Sequence, residues 1–192
     1  MQMDAQRPAL SPGRFDAVLS SCGALLWING TEDVRPYREL LRPGGRLALS
    51  GPSFFVAGDG RVPFLPEGVD ELLRPEMTRM AESVDMDNNP FLNPDGAWMA
   101  DRDRVRSSLA EAGFAEADIL EEDLSVVVES GQQWVDWTMS HGMRGVWERI
   151  PEPRASELAA QIIRQLDDLR DATGQIRLSM PIAYIRATAR GA

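Results

Sequence analysis

Phe15-Asp-Ala-Val-Leu-Ser-Ser21 and Arg46-Leu-Ala-Leu-Ser50, joined through Val34, Tyr37, Leu40, Leu41 and the turn Pro43-Gly44-Gly45, decide the fold. The first stretch is a run of strand formers ending in small polar residues, apolar enough to need cover on both faces as parallel strands do. Asn29-Gly30-Thr31-Glu32-Asp33 then supplies turn and N-cap chemistry, with acids in the first turn of a helix whose apolar residues recur on one face. Pro36 falls early enough in that helix to be tolerated. Pro43-Gly44-Gly45 stops the helix and turns the chain into the second buried strand. Strand, helix, turn, strand is a βαβ unit, so the two strands are predicted parallel with a right-handed crossover.

Working outward, residues 51–100 are rich in Gly, Pro, Asp and Asn, with one helix expected around Val69–Glu82. A tract this long that still carries Phe54, Phe55, Phe64, Met77, Met80, Phe91 and Trp98 reads as a folded lid. Asp101–Ala112 is an amphipathic helix ended by Gly113, and Ile119–Val128 is a strand. Helices are expected over Gln132–Arg149 and Arg154–Ala172, and Gly174 leads to a last strand, Ile176–Ala189. No repeat and no second domain is visible, so residues 1–192 read as one domain.

Composition narrows the function. The chain has 192 residues and a formal charge of −10, and its twenty basic residues are all arginine. Nucleic acid is excluded as an expected partner, because its binding needs a clustered basic patch. Neither a signal-peptide pattern nor a run of about 20 apolar residues is present, so a cytoplasmic protein without a membrane partner is expected. One cysteine, Cys22, leaves no internal disulfide or multi-cysteine metal site, and no His or acid spacing has metal-ligand character.

The order and wording of these pieces resemble the second half of the class I S-adenosylmethionine-dependent methyltransferases of small-molecule type. Phe15-Asp-Ala-Val18 is similar to that family's fourth strand. Glu39-Leu-Leu-Arg-Pro-Gly-Gly-Arg-Leu-Ala-Leu49 resembles its fourth helix, turn and fifth strand, and Glu111-Ala-Gly-Phe114 the tail of the helix before its sixth. The resemblance covers Phe15 to Phe114 and extends to the later elements. It implies an α/β fold: part of a Rossmann-like sheet holding the family's strands in the order fourth, fifth, seventh, sixth, with flanking helices and a lid. It also implies transfer of a methyl group from S-adenosylmethionine to a small-molecule acceptor.

Asp4-Ala5 stands twelve residues before Asp16, as the acid after the family's third strand stands before the aspartate of the fourth. The resemblance gives Asp4 the adenine amino group and Ala5 a backbone contact to the ring, while a solvated residue in a frayed terminus is the plainer reading. Ser20, Ser21 and Cys22 follow the strand where, in the family, methyl group and acceptor meet, and Trp27 lies beyond. These residues are equally a strand end packed beneath a helix, and Cys22 reads as a small pocket or core residue. What is missing is a strand followed by a Gly-x-Gly turn and a ribose-binding acid; Gly58-Asp-Gly60 opens no helix and does not replace them. The chain alone is therefore expected to bind S-adenosylmethionine weakly or not at all, with that half of the cleft truncated or supplied by a partner chain.

His141, the one histidine, is the default general base for deprotonating an acceptor, or else the cap of a helix end. Trp137 reads as acceptor pocket or helix core. Arg144 pairs either with an acceptor carboxylate or with Glu148. Glu121-Glu122-Asp123, ahead of a strand, and Asp167-Asp168, on a helix face, read as solvated surface. A different class of function, a non-methylating binding subunit or a repurposed catalyst such as a cyclase, is equally compatible with the fold. Finally, without the family's first three strands the Phe15–Ser21 strand becomes an open sheet edge, and a homodimer or a partner chain is expected to cover it.

Overall fold

The computed structural model describes residues 2–53, 65–66, 68–83 and 98–191. The expectations for Phe54, Phe55, Phe64, Phe91 and Gly58-Asp59-Gly60 lie outside the described residues. The elements are β1 (Phe15–Ser21), α1 (Thr31–Leu40), β2 (Leu41–Pro52), α2 (Val69–Ser83), α3 (Arg102–Glu111), β3 (Phe114–Val128), α4 (Gly131–Thr138), α5 (Arg144–Trp147), α6 (Arg154–Asp167) and β4 (Ile176–Ala189). The strands form one sheet in the order β1-β2-β4-β3. β1 runs parallel to β2, and β4 antiparallel to β2 with Leu49 opposite Ile185. This is the strand order expected from the resemblance, and the fold is a Rossmann-like α/β fold.

Two compact units are distinguished: Met1–Gly60 with Asn88–Glu122 and Pro181–Ala192, and Arg61–Asp87 with Asp123–Met180. In the first, α1 packs on β2 and α3. Its buried face is Val34, Tyr37 and Leu40, the periodic set read from the sequence, and α3 buries Val105 and Leu109. Each such side chain contributes roughly 1.5–3 kcal/mol when removed from water. Asp101 caps α3, its carboxylate accepting from the N–H groups of Asp103 and Arg104. Arg38 ties the carbonyl ends together: Nε donates to Gly113 O at 2.9 Å and Nη2 to Arg190 O at 2.8 Å. In the second unit α6 packs on α4 and α2. Gly131 is needed at that crossing, since a Cβ there would sit 2.5 Å from the carbonyl oxygen of Ile163.

Several boundaries differ from expectation. Pro43-Gly44-Gly45 does not end α1, which stops at Leu40. It forms instead an irregularity inside β2, where pairing jumps from Phe15 opposite Leu41 to Ala17 opposite Arg46 and Gly44 takes φ +75°. The helix expected over Gln132–Arg149 is two helices, because Ser140-His141-Gly142 makes a turn between α4 and α5. β3 begins at Phe114, and α6 ends at Asp167 rather than Ala172. Glu121 to Asp123 lie within β3 and are engaged: Glu121 accepts from Ser53 and Arg102, and Asp123 from Ser179. Asp167 is also no free surface acid, since its Oδ1 accepts from Gly131 N at the start of α4 and from Arg170, both within 2.9 Å. No helix among the described residues is long and apolar enough to cross a membrane.

Candidate functional site

In the first unit the C-terminal end of β1 and the segment before it converge. A groove of about 350 Å³ is lined by Met3, Ala5, Val18, Leu19, Ser20, Trp27 and Tyr37, among others. Trp27 is half-buried, and its Nε1–H donates to Tyr37 Oη at 3.0 Å. The Tyr37 hydroxyl in turn donates to the Ala5 carbonyl at 2.9 Å, so a relay of two hydrogen bonds anchors the N-terminal segment to α1. Burial raises the pKa of the Tyr37 phenol, which keeps it protonated as this donation requires. Asp4 is exposed, and its Oδ1 accepts from Gln6 N at 2.9 Å in a local turn. Its Oδ2 and the N–H of Ala5 make no hydrogen bond among the described residues.

At the strand end, Ser20 Oγ accepts from Ala24 N at 2.9 Å, which orients the turn after β1. Ser21 Oγ accepts from Ser50 Oγ at 3.2 Å. Cys22 is exposed, not a core residue, and adopts φ +50° while its N–H donates to Ser50 O at 2.7 Å. A side chain held in the left-handed region at the end of a parallel strand is a strained feature of the kind found at ligand sites. Asp4, Ala5, Ser20, Ser21, Cys22 and Trp27 thus all belong to the first unit.

Trp137, His141 and Arg144 belong to the second. There a groove of about 240 Å³ is lined by Val126, Val127, Val128, Gln133, Trp134, Trp137, Leu178, Ser179 and Met180. Trp134 is 2% exposed and serves the core, whereas Trp137 is 41% exposed and faces the groove. His141 packs edge-on against Trp137, ring centroids 4.3 Å apart. Its Nδ1 accepts from Met143 N at 3.3 Å, and its Nε2 makes no hydrogen bond among the described residues. Partial burial lowers the imidazole pKa, favouring a neutral ring at neutral pH, in which Nδ1 is the acceptor nitrogen used by Met143 N–H and Nε2 carries the hydrogen. Arg144 donates to Glu148 at 2.6 Å, the local pairing of its two readings.

Sequence reasoning missed Tyr37 as more than a core residue, and missed Gln133. A tyrosine at a buried helix position was the available signal, because its hydroxyl needs a partner.

No family model matches the chain. It is 32% identical over 196 residues to the nocamycin O-methyltransferase of Saccharothrix syringae, an alignment covering 98% of this chain and 66% of that protein. Among solved structures it resembles the YcgJ protein of Bacillus subtilis, with a TM-score of 0.53 and 13% identity, over 100% of this chain and 71% of that one. A putative methyltransferase from Bacillus halodurans aligns with a TM-score of 0.46 and 15% identity, over 98% of this chain and 70% of that one. The chain therefore spans about two thirds of the length of the curated relative it matches.

Proposed function

Because the chain belongs to the class I S-adenosylmethionine-dependent methyltransferases of small-molecule type, we propose that it serves O-methylation of a small-molecule acceptor. In this reading the chain holds the acceptor and the adenine end of the cofactor, while the glycine-rich part of the cleft comes from a partner chain. The observation that carries the proposal is the anchored Asp4-Ala5 segment beside the groove at the end of β1. A carboxylate oxygen at Asp4 and a backbone N–H at Ala5, both without partners among the described residues, match the donor and acceptor edge of adenine. The apolar lining from Val18, Leu19 and Trp27 suits its faces. The residues thus fit the adenine end of the group. The ribose and methionine ends need backbone approach through glycine that this sequence does not supply.

S-adenosylmethionine brings a methyl group already activated on a sulfonium, so the protein has mainly to align the acceptor and exclude water. The second unit's groove supplies contacts to the acceptor. His141, whose ring meets Trp137 of that groove edge-on, takes the proton released by the acceptor hydroxyl at its unprotonated Nδ1, giving up the bond from Met143 N–H. β1 stands at the sheet edge with Leu19 75% exposed, and the partner chain that brings the glycine-rich segment covers it.

Calorimetric titration with S-adenosylmethionine and S-adenosylhomocysteine, on the chain alone and with the product of a neighbouring gene, tests this reading. Weak or absent binding alone and restored binding in the mixture are expected. Absence of binding in both conditions overturns it and leaves a non-methylating role.

A further inference from the structure

Resting on the acceptor-binding reading above, we infer that the groove between α4 and the segments Val126–Val128 and Leu178–Met180 binds an uncharged, unsaturated ring system of the acceptor. Trp137 supplies the ring contact and Gln133 the orienting hydrogen bond.

The lining contains no ionisable side chain. Trp137 and Val127 are 41% and 45% exposed, a concentration of uncovered apolar surface on a chain of charge −10. The indole is not a loose surface ring. His141 meets it edge-on at 4.3 Å, and Trp134 lies 6.5 Å away at 55°, so its plane is set before any ligand arrives. A ring fixed in this way loses little conformational freedom on binding, and its face prefers another π system, offset or edge-on.

The polar groups restrict the ligand further. Gln133 Oε1 accepts from Glu129 N at 2.7 Å, which fixes the amide so that its Nε2 is the end left to offer, and this end makes no bond among the described residues. A donor of this kind suits a carbonyl or hydroxyl oxygen. Ser179 Oγ donates to Asp123 at 2.6 Å, which leaves its oxygen as an acceptor for a ligand hydroxyl.

Charge excludes an anionic acceptor. Arg144 is held by Glu148 at 2.6 Å, Arg170 by Asp167 at 2.8 Å and Arg177 by Asp171 at 3.2 Å. A carboxylate or phosphate entering the groove would leave water without a cation to receive it. At about 240 Å³ the groove is smaller than the ~300–1,000 Å³ typical of pockets for drug-sized ligands. It therefore takes one or two rings and leaves the rest of a larger acceptor outside.

The test uses 2-naphthol as the neutral probe and 2-naphthoate as its anionic counterpart, each titrated into the full chain by calorimetry without cofactor. The expected result is binding of 2-naphthol, with 2-naphthoate at least about tenfold weaker. Trp137→Ala is expected to lose about tenfold and Trp137→Phe to keep most of the affinity, as loss of one aromatic contact predicts. Gln133→Leu should weaken 2-naphthol several-fold without unfolding the chain, because the residue is exposed. Equal affinity for the two probes, no binding of 2-naphthol to the wild type, or an unchanged constant in Trp137→Ala with native circular dichroism overturns the proposal. No methyl donor is involved, so a chain that binds 2-naphthol as described yet never binds cofactor retains this site and loses the methyltransferase reading.

Discussion

Trp27 Nε1 donates to Tyr37 Oη across 3.0 Å, and the same hydroxyl donates onward to the carbonyl of Ala5 at 2.9 Å. One phenol thus fastens the segment bearing Asp4 to helix α1. Tyr37→Phe keeps the buried ring and removes both bonds, so stability should fall by about 1–3 kcal/mol, the cost of leaving buried polar groups unpaired. Faster amide exchange confined to residues 3–10 would accompany the loss. Unchanged exchange there would show that the segment is held by its apolar contacts alone.

The crossing of α4 and α6 depends on the absence of a side chain at residue 131. A Cβ at Gly131 would lie 2.5 Å from the carbonyl oxygen and 2.7 Å from Cα of Ile163, both backbone atoms that cannot swing aside. Gly131→Ala is expected to cost about 1–3 kcal/mol through overpacking. Gly142→Ala, where nothing lies within 4 Å, serves as the control and should change the melting temperature little.

Acid should act on two groups in separate pH ranges. Burial lowers the His141 pKa below its ordinary 6.5, so the unfolded chain binds a proton more readily than the folded one. Stability contributed by neutral His141 is present above about pH 6.5 and declines as pH falls below it. His141→Gln should remove that part of the pH dependence of the melting temperature.

Asp171 has the pKa of its carboxyl lowered to about 2 from 3.8, first by the Thr173 hydroxyl, then by the Thr173 N–H, with smaller help from Gln175 N–H and Arg177. Its contribution is full above about pH 4 and lost as pH falls towards 2, a step Asp171→Asn should abolish.

The sheet edge yields a prediction about assembly. Leu19 projects 75% exposed from β1, a strand paired on one side only among the described residues. Sedimentation at micromolar concentration should show a dimer or a complex, and Leu19→Lys should shift it to monomer by placing a charge on the apolar edge. A compact monomeric wild type would show that the edge tolerates solvent.

The βαβ unit and the last strand were legible in the sequence because each rests on local signals. Apolar residues at helical spacing in Val34–Leu40 and the strand-forming residues of β1 and β4 owe nothing to distant residues. Their order also predicted the parallel pairing of β1 and β2, while the order of the whole sheet came from the family resemblance. Only the tertiary structure decided what the polar and aromatic side chains do. Trp134 and Trp137 sit one helical turn apart and both line the groove, yet one is 2% and the other 41% exposed, because strands and helices far away in sequence define how much of α4 is covered. Tyr37 and Asp167 look like a core residue and a surface acid until Ala5 and Gly131, 32 and 36 residues away, are brought within 2.9 Å. A hydrogen bond is decided by the position of both partners, and a sequence specifies only one of them locally.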